Sequence, residues 1–464
     1  EALHPACSQA LTANPSDPIT HETLAAVWEA IAQNHDLRQE DAAMTQALKA
    51  AIQHADLALQ HEPELLGARL IGARALLLQA GHLADDLDAG LAVHDRAIAM
   101  LDPLLVDAPG FAPGWLLRGR LLSQRTRLLN NHSSQDHVES FDLALTALRE
   151  ARRLRPQDPD TINALGLALV FQFYILRNQD LASAARVMNE AIALLNEALT
   201  TTPDDPELLF SQGANLGDLW AAYANWSDTD AEFDTATPTL ERGLSLLARL
   251  RSVAPGRADG YAQAIAQLST YGELARARSL PRLPQLRLAQ AIAAEAASAG
   301  ISLDQSLLAW LTMEKAVALD DVDSDEAANA FAESDRHLRA AMSDPEELYS
   351  ATRQRLEWVV ARLRWALRKG LSATPTIAQG EATIKALLAH PRGAADGIVH
   401  CNAGAFHRLL GEHAISAGGL APAARIELAD QAFADCKTLN PSYARRWTKQ
   451  AEAAAARAAR TRDL

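Results

Sequence analysis

Residues 151–166 read ARRLRPQDPDTINALG and contain, in one stretch, every element of a pattern that recurs along this chain. The pattern is a small residue (Ala151), a proline five positions later (Pro156), then a large apolar residue (Ile162) and a glycine (Gly166). Asp158 followed by a proline is typical of a helix start. Asp accepts hydrogen bonds from the first free amides of a helix, and proline at the first helical position has no amide to satisfy. The stretch therefore predicts that one helix ends before Pro156 and another begins after Asp158.

The same proline recurs about every 47 residues, with steps of 48, 46, 47, 47 and 52, then 136 and 50. Two further aspartates, Asp304 and Asp344, give the same helix-start signal and place the two missing landmarks at Ser302 and Met342. Ten repeats fit, and a repeat of this regularity indicates a solenoid. The landmark prolines are Pro15, Pro63, Pro109, Pro156, Pro203, Pro255, Pro391 and Pro441.

Fixed offsets from each landmark carry residues of fixed size. Six residues after the landmark the residue is large, and ten residues after it the residue is small, with Ile265 as the exception. A large residue followed four later by a small one lets two helices approach closely while the large side chain fills the flank. The small positions are Ala25, Ala73, Gly119, Gly166, Gly213, Thr312, Thr352, Cys401 and Ala451, and the large ones are Trp115, Ile162, Leu209, Tyr261, Leu308, Leu348 and Trp447. Five residues before the landmark, seven of the repeats have Ala or Cys: Ala10, Ala58, Ala151, Ala198, Ala297, Ala386 and Cys436.

This register resembles that of the tetratricopeptide repeat, in which a bulky residue, a Gly or Ala four later, a later Ala and a Pro recur. The family's usual repeat is about 34 residues, so the surplus here predicts longer helices of roughly 18–22 residues, each about 30 Å long. HEAT-like repeats have the right length but do not predict the small/large register. The resemblance implies an all-α fold, a superhelical solenoid of antiparallel helix pairs with about nine to ten repeats.

We expect a single solenoid over residues 1–464. Residues 1–14 would be the end of a truncated first repeat, 15–440 nine helix pairs, and 441–464 a C-terminal capping helix. Because the chain begins at Glu1 within a repeat, we expect a further segment upstream. We find no stretch of about 18 apolar residues, so we expect nothing here to span a membrane.

Long Ala/Leu/Arg-rich arrays of this kind resemble the C-terminal regions of bacterial membrane-anchored serine/threonine kinases. The resemblance implies a periplasmic sensory domain, tethered by an upstream transmembrane helix and a kinase domain that are not in this chain. The sequence has no Gly-rich loop, His-Arg-Asp or Asp-Phe-Gly motif, and we expect no catalytic residue, cofactor or metal. The alternative is a cytoplasmic scaffold or adaptor, such as a co-chaperone or assembly factor.

The net charge of −15 argues against a nucleic-acid partner, which would require a basic surface. Arginines do cluster locally, and we interpret them as solvated helix faces paired with nearby acids. The clusters are Arg118, Arg120, Arg125 and Arg127, and then Arg149, Arg152, Arg153 and Arg155.

In the tetratricopeptide family, residues 7, 11 and 14–15 after the landmark line the concave groove. This correspondence implies a groove that binds a protein or peptide, with stacked Arg and Asn side chains able to hold an acidic group. The Lys positions of the family's carboxylate clamp are not filled here. Trp226 and Phe233 fall in a polar stretch, which predicts an exposed aromatic loop beside the groove. A homodimer is a further possible assembly. The groove candidates are Arg74, Arg120, Gln124, Asn163, Phe171, Phe210 and Asp218.

Two cysteines occupy facing positions of one repeat. Cys401 stands at the small position of a first helix, and Cys436 stands at the recurrent Ala position of its second helix. A disulfide between them would fit an oxidising periplasm. The alternative is that both replace Gly or Ala as small buried residues. Cys7 has no evident partner.

Overall fold

A computed structural model describes residues 9–37, 40–83, 86–131, 137–177, 180–227, 229–320, 322–416 and 422–440. Every regular element within these ranges is helical, so the predicted all-α class is confirmed. The expected capping helix over 441–464 and the first residues, including Cys7, lie outside the described ranges.

Eighteen of the helices in the described ranges have 15 to 24 residues, close to the 18–22 expected. They alternate as first and second helices of nine repeats, and a four-residue helix precedes the last repeat. Numbered in order, they are α1 Pro18–Leu37, α2 Asp41–His61, α3 Leu66–Gly81, α4 Leu87–Asp107, α5 Ala112–Asn131, α6 His137–Leu154, α7 Pro159–Leu176, α8 Leu181–Thr201, α9 Pro206–Trp226, α10 Asp230–Val253, α11 Ala258–Arg278, α12 Leu283–Ser298, α13 Gln305–Leu319, α14 Ser324–Ala341, α15 Leu348–Arg368, α16 Thr374–Ala389, α17 Pro391–Ala394, α18 Gly397–Ser416 and α19 Pro422–Leu439.

Aspartate caps begin the first helices where the sequence places them. Asp17 accepts a hydrogen bond from the amide of Thr20 at 2.8 Å, and Asp158 does the same from Thr161 at 3.0 Å. Asp205 and Asp304 each accept two amides of the following turn. These side chains satisfy donors that the helix itself leaves free, which fixes where each first helix starts.

The chain forms two compact bodies, an N-terminal body (Glu1–Ala198) and a C-terminal body (Leu199–Leu464). Within each body, a first helix packs against its own second helix and against the first helix of the next repeat. In the N-terminal body, α1, α3, α5 and α7 are neighbours in this order. In the C-terminal body, the corresponding row is α9, α11, α13, α15 and α18. This pairing is that of a tetratricopeptide-like repeat, and the boundaries of a single 1–464 domain stay a prediction.

The small position ten residues after the landmark is where the paired helices touch. A Cβ built on Gly213 would lie 2.8 Å from Leu247 Cγ and 3.2 Å from the carbonyl oxygen of Gly243, so α9 and α10 are in backbone contact there. Gly166 stands at the same position of α7, but its nearest neighbour, Leu195 Cδ2, is 3.9 Å away. The repeats thus share one register with different tightness.

Two parts of the register are wrong. Helix α15 begins at Leu348, three residues later than the Asp344–Pro345 signal indicates, because residues 345–347 form a turn. Leu348 is consequently 45% exposed instead of buried. Ala10, Ala297 and Ala386 are also exposed, and in two of these cases the adjacent residue, Ala296 or Leu387, is buried instead.

One helix bears on the expectation that nothing here spans a membrane. Among the described helices, α7 is long and apolar enough to cross a bilayer by length and composition. Its buried side, which includes Ile162, Leu165 and Phe173, contributes to the core, and a core helix of this composition satisfies the same criterion.

The two glycines give a matched test of the packing register. Gly213→Ala should lower the free energy of unfolding by about 1–3 kcal/mol, because the added methyl group overpacks a backbone contact. Gly166→Ala should raise it by about 0.5–1 kcal/mol, because the site has room and Ala is the better helix former. Urea denaturation followed by circular dichroism measures both, and changes of the same sign would contradict the proposed contact.

Candidate functional site

Five of the seven groove candidates lie on neighbouring first helices of the N-terminal body. Arg74 is on α3, Arg120 and Gln124 are on α5, and Asn163 and Phe171 are on α7. Arg74 and Asn163 are exposed, and the other three are half-buried. The structure therefore brings these five into one row of helices, but their environments differ.

Arg74 is held inside the protein's own structure. Its guanidinium donates to Glu29 on α1 at 2.5 Å, and the Glu29 side chain is only 2% exposed. Removal of the arginine would leave a buried carboxylate without its cation, which is a costly change. Arg74 therefore joins α3 to α1 and is a poor candidate for exchange with a ligand.

Gln124 also has a structural neighbour. It is half-buried beside His94 of α4, whose Nδ1 donates to the carbonyl oxygen of Gly90 at 2.7 Å. Burial lowers the pKa of His94, so this imidazole is neutral at pH 7. Gln124 consequently belongs to the interior of the N-terminal body more than to its surface.

The exposed side of α7 carries four residues at helical spacing, which we call the α7 stripe: Asn163, Leu167, Phe171 and Tyr174. Residues three and four apart share one side of a helix. Leu167 is 48% exposed and Tyr174 is 38% exposed. We had not predicted these two as site residues, although the offset of 11 applied to Pro156 gives Leu167 directly.

Arginines border the α7 stripe. The guanidinium of Arg177 lies 4.6 Å from the ring centre of Tyr174, and that of Arg127 lies 5.7 Å from the ring centre of Phe171. Arg120 forms an ion pair of 3.6 Å with Asp160 in which both side chains are well exposed. Exposed pairs of this kind contribute about 0–1 kcal/mol, so Arg120 can exchange Asp160 for a ligand at little cost.

The other two candidates, Phe210 and Asp218, are on α9 in the C-terminal body. The guanidinium of Arg257 lies over Phe210, with 5.9 Å between its Cζ and the ring centre of Phe210. Arg257 is also hydrogen-bonded to Asp259 and Glu207, and these bonds raise its pKa further. Asp218 is half-buried.

The exposed aromatic loop is not present. Phe233 is wholly buried and packs against Trp220 and Tyr271, at ring-centre distances of 6.1 and 5.5 Å. The reason is the capping box at Thr229 and Glu232, which starts α10 at Asp230 and turns the phenylalanine inward. Trp226 is half-buried at the end of α9.

The C-terminal body contains a cluster of charges that we had not predicted. This charged cluster consists of Arg276, Glu314, Arg353 and Glu357. Glu314 has no exposed surface and lies 3.2 Å from Arg276. The pKa of Glu357 is raised to about 7, chiefly by burial, while Arg353 and Arg276 oppose the shift. The offsets of 11 and 15, applied to Met342, give Arg353 and Glu357.

Six of the eight clustered arginines form ion pairs with acids in the described part of the chain. Arg118 and Arg125 contact Asp102 and Asp95, each at 2.9 Å. Arg149, Arg152 and Arg153 contact Glu190, Glu197 and Glu150 at 2.6–3.0 Å. These arginines therefore do not form a free basic surface.

Cys401 and Cys436 lie on facing helices, α18 and α19. Their sulfur atoms are 1.98 Å apart, their Cα atoms are 5.2 Å apart, and neither side chain is exposed. Apart from Cys436, Ala429 is the only buried residue described on α19. Within the described ranges, no group of three or more His, Cys, Asp or Glu side chains is arranged to hold a metal ion.

Comparisons with known proteins add little to this geometry. No protein-family model matches the chain, and no curated protein is similar to it in sequence. One solved structure, that of Naa15/Naa10 bound to HypK-THB, is 15% identical over 93% of this chain, with a TM-score of 0.29, and the chain spans 62% of its length. Another, the APC/C hetero-tetramer Cut9–Hcn1, is 11% identical over 95% of this chain and 98% of its own, with a TM-score of 0.23. Similarity at this level has no bearing on function, and the fold assignment depends on the helix pairing itself.

The raised pKa of Glu357 predicts a pH dependence. A carboxyl group whose folded pKa lies above its ordinary value of 4.5 contributes stability below pH 4.5, and that stability is lost as the pH rises towards about 7. The difference in unfolding free energy between the native protein and Glu357→Gln should therefore fall across this window. Urea midpoints at several pH values measure it, with exposed Glu346→Gln as the control for charge. A difference that is constant with pH would contradict the assignment.

Proposed function

We propose that this chain is a non-catalytic repeat domain that binds a segment of a partner protein through the α7 stripe. The exposure of Leu167 and Tyr174 at helical spacing is the observation that supports the proposal most strongly. Covering apolar side chains on a folded surface with a partner removes them from water and lowers the free energy of the complex. Helix α5 packs against α7 and forms the neighbouring part of the proposed binding surface.

The charges beside the stripe indicate what the partner carries. In the described part of the chain Arg120 forms an exposed ion pair, and Arg127 lies against the Phe171 ring of the stripe. Guanidinium groups so placed form charge-assisted hydrogen bonds with carboxylates. The partner segment therefore carries a large apolar residue and an acidic residue close together, so that each meets its complement on α5 and α7.

Two leucines provide a matched test in the same body. Leu167→Asp should weaken partner binding at least tenfold, because it places a carboxylate in the centre of the apolar contact. Leu143→Asp on α6 is the control, since Leu143 is 43% exposed and lies outside the stripe. A photo-crosslinking residue at Tyr174 identifies the partner in cells, and isothermal titration calorimetry then compares the variants. Equal affinities for the two variants would contradict the proposed surface.

We further propose that the chain is the periplasmic sensory region of a bacterial receptor serine/threonine kinase. The resemblance of the repeats and the position of the two cysteines support this proposal. Binding of the partner segment to α5 and α7 would be the sensed event. A cytoplasmic scaffold would use the same surface without a signalling output, and the coding sequence upstream of Glu1 separates the two. The sensor requires a kinase domain followed by an apolar span of about 20 residues.

The state of the three thiols tests the compartment. In protein recovered from its native compartment with free thiols trapped, Cys401 and Cys436 should be protected until reduction, and Cys7 should react. Disulfides persist in oxidising compartments and are rare in the cytosol, so this outcome supports the periplasmic location. If all three thiols react without reduction, the cytoplasmic scaffold becomes the better interpretation.

A further inference from the structure

A cleft of about 540 Å³ opens in the C-terminal body. It lies where the N-terminal ends of α15 and α18 meet the end of α19. We call it the Arg353 cleft, because Arg353 and Arg392 are its two cationic side chains. Its polar lining also includes Ser350, Asp396 and Asn440. None of these residues belongs to the proposed partner surface.

Arg353 has unused hydrogen-bonding capacity in this cleft. Its Nε is buried and has no hydrogen-bond partner among the described residues. Its terminal nitrogen is 3.7 Å from the Asp396 carboxylate, which is an ion pair but too long for a hydrogen bond. A buried guanidinium donor without an acceptor is unfavourable and is rare in native proteins. The Arg353 side chain is nevertheless 34% exposed, and the long contact with Asp396 leaves its terminal N–H groups able to donate to a ligand in the cleft.

Asp396 is already engaged by the protein. One of its oxygens accepts from the amide of Ile398 at 2.9 Å and so caps α18. The other accepts from the hydroxyl of Tyr349 at 3.1 Å. Burial, followed by the Asp396 charge, raises the pKa of Tyr349, so its phenol remains a donor at neutral pH. Asp396 therefore fixes the wall of the cleft and does not neutralise Arg353 by direct hydrogen bonding.

Arg392 is positioned by the same wall. Its guanidinium lies 4.9 Å from the ring centre of Tyr349, and the His390 ring is 5.0 Å from that ring. Stacking on an aromatic face orients a guanidinium while its edge N–H groups remain available. The two arginines and Asp396 leave a net charge of +1 in the lining. The Glu357 carboxyl close to Arg353 adds negative charge, which disfavours a doubly charged phosphate relative to a single carboxylate.

From these contacts we infer that the Arg353 cleft is a binding site for a monocarboxylate. The carboxylate accepts hydrogen bonds from the terminal N–H groups of Arg353 and Arg392, and Tyr349 forms the floor. The volume accommodates a small organic acid or the last residues of a peptide, which present the same chemical group. The site is separate from the partner surface on α7, so either can fail without the other.

The test uses the full chain with ¹⁵N-labelled arginine, with sodium acetate as the first probe against sodium chloride at equal ionic strength. The Nε–Hε resonance of Arg353, assigned by its loss in Arg353→Gln, should shift saturably with acetate. That of Arg242, an exposed arginine on α10, should not. Arg392→Gln, an exposed substitution, should weaken the acetate affinity about tenfold, which corresponds to the loss of one charge-assisted hydrogen bond. Equal, unsaturable shifts at Arg353 and Arg242 would overturn the inference.

Further probes separate the sources of the carboxylate. If trialanine with a free C-terminus binds more tightly than acetate and its amidated form does not bind, the ligand is a peptide terminus. If trialanine and acetate bind equally, the ligand is a small organic acid, and both results support the site. Inorganic phosphate that binds more tightly than acetate would overturn the monocarboxylate assignment.

Discussion

Contact between the paired helices at the tenth residue after the landmark, closest at Gly213, is the constraint on which the rest of the structure depends. At Gly213 the helices are so near that the Gly243 backbone of α10 lies where a side chain would otherwise be. Large residues four positions earlier, such as Ile162 and Leu209, are then buried at the flank of the contact. Since, within each body, a first helix also packs against the first helix of the next repeat, its outer side lies in a row with those of its neighbours in that body. Surfaces for binding follow from this arrangement, because only the outer side is free of the core.

Charges on these surfaces divide into two kinds. Arg74 and Arg276 pair with Glu29 and Glu314, whose side chains are essentially unexposed, so these arginines stabilise packing. Arg120 pairs with an exposed acid that water screens, and Arg353 lacks an acceptor for one of its donors. The depth of the acidic partner therefore decides whether an arginine is structural or available. Sequence offsets alone treat all of them alike.

Much of the fold could be predicted because its determinants are local. An aspartate cap acts on amides two or three residues away, so Asp17, Asp158, Asp205 and Asp304 fixed the helix starts without tertiary information. The start of α15 was wrong because residues 345–347 form a turn in spite of the cap signal at Asp344. The prediction that Phe233 is exposed was wrong because the polar stretch contains a capping box, which turns the ring into the core. The groove offsets pointed to the exposed side of α7, where Leu167 and Tyr174 are also exposed.

The sequence by itself determined the all-α class, the helix-pair repeat and the rows of outward-facing positions, since these depend on spacing, caps and residue size within one repeat. Only the tertiary structure decided which candidates are available, because availability depends on side chains 30 to 50 residues away. Glu29 holds Arg74 across 45 positions, and Asp396 meets Tyr349 across 47. The same is true of Glu357, whose pKa reflects burial among Arg276, Glu314 and Arg353. Such contacts form only when successive repeats stack, and no local pattern encodes the resulting loss of water.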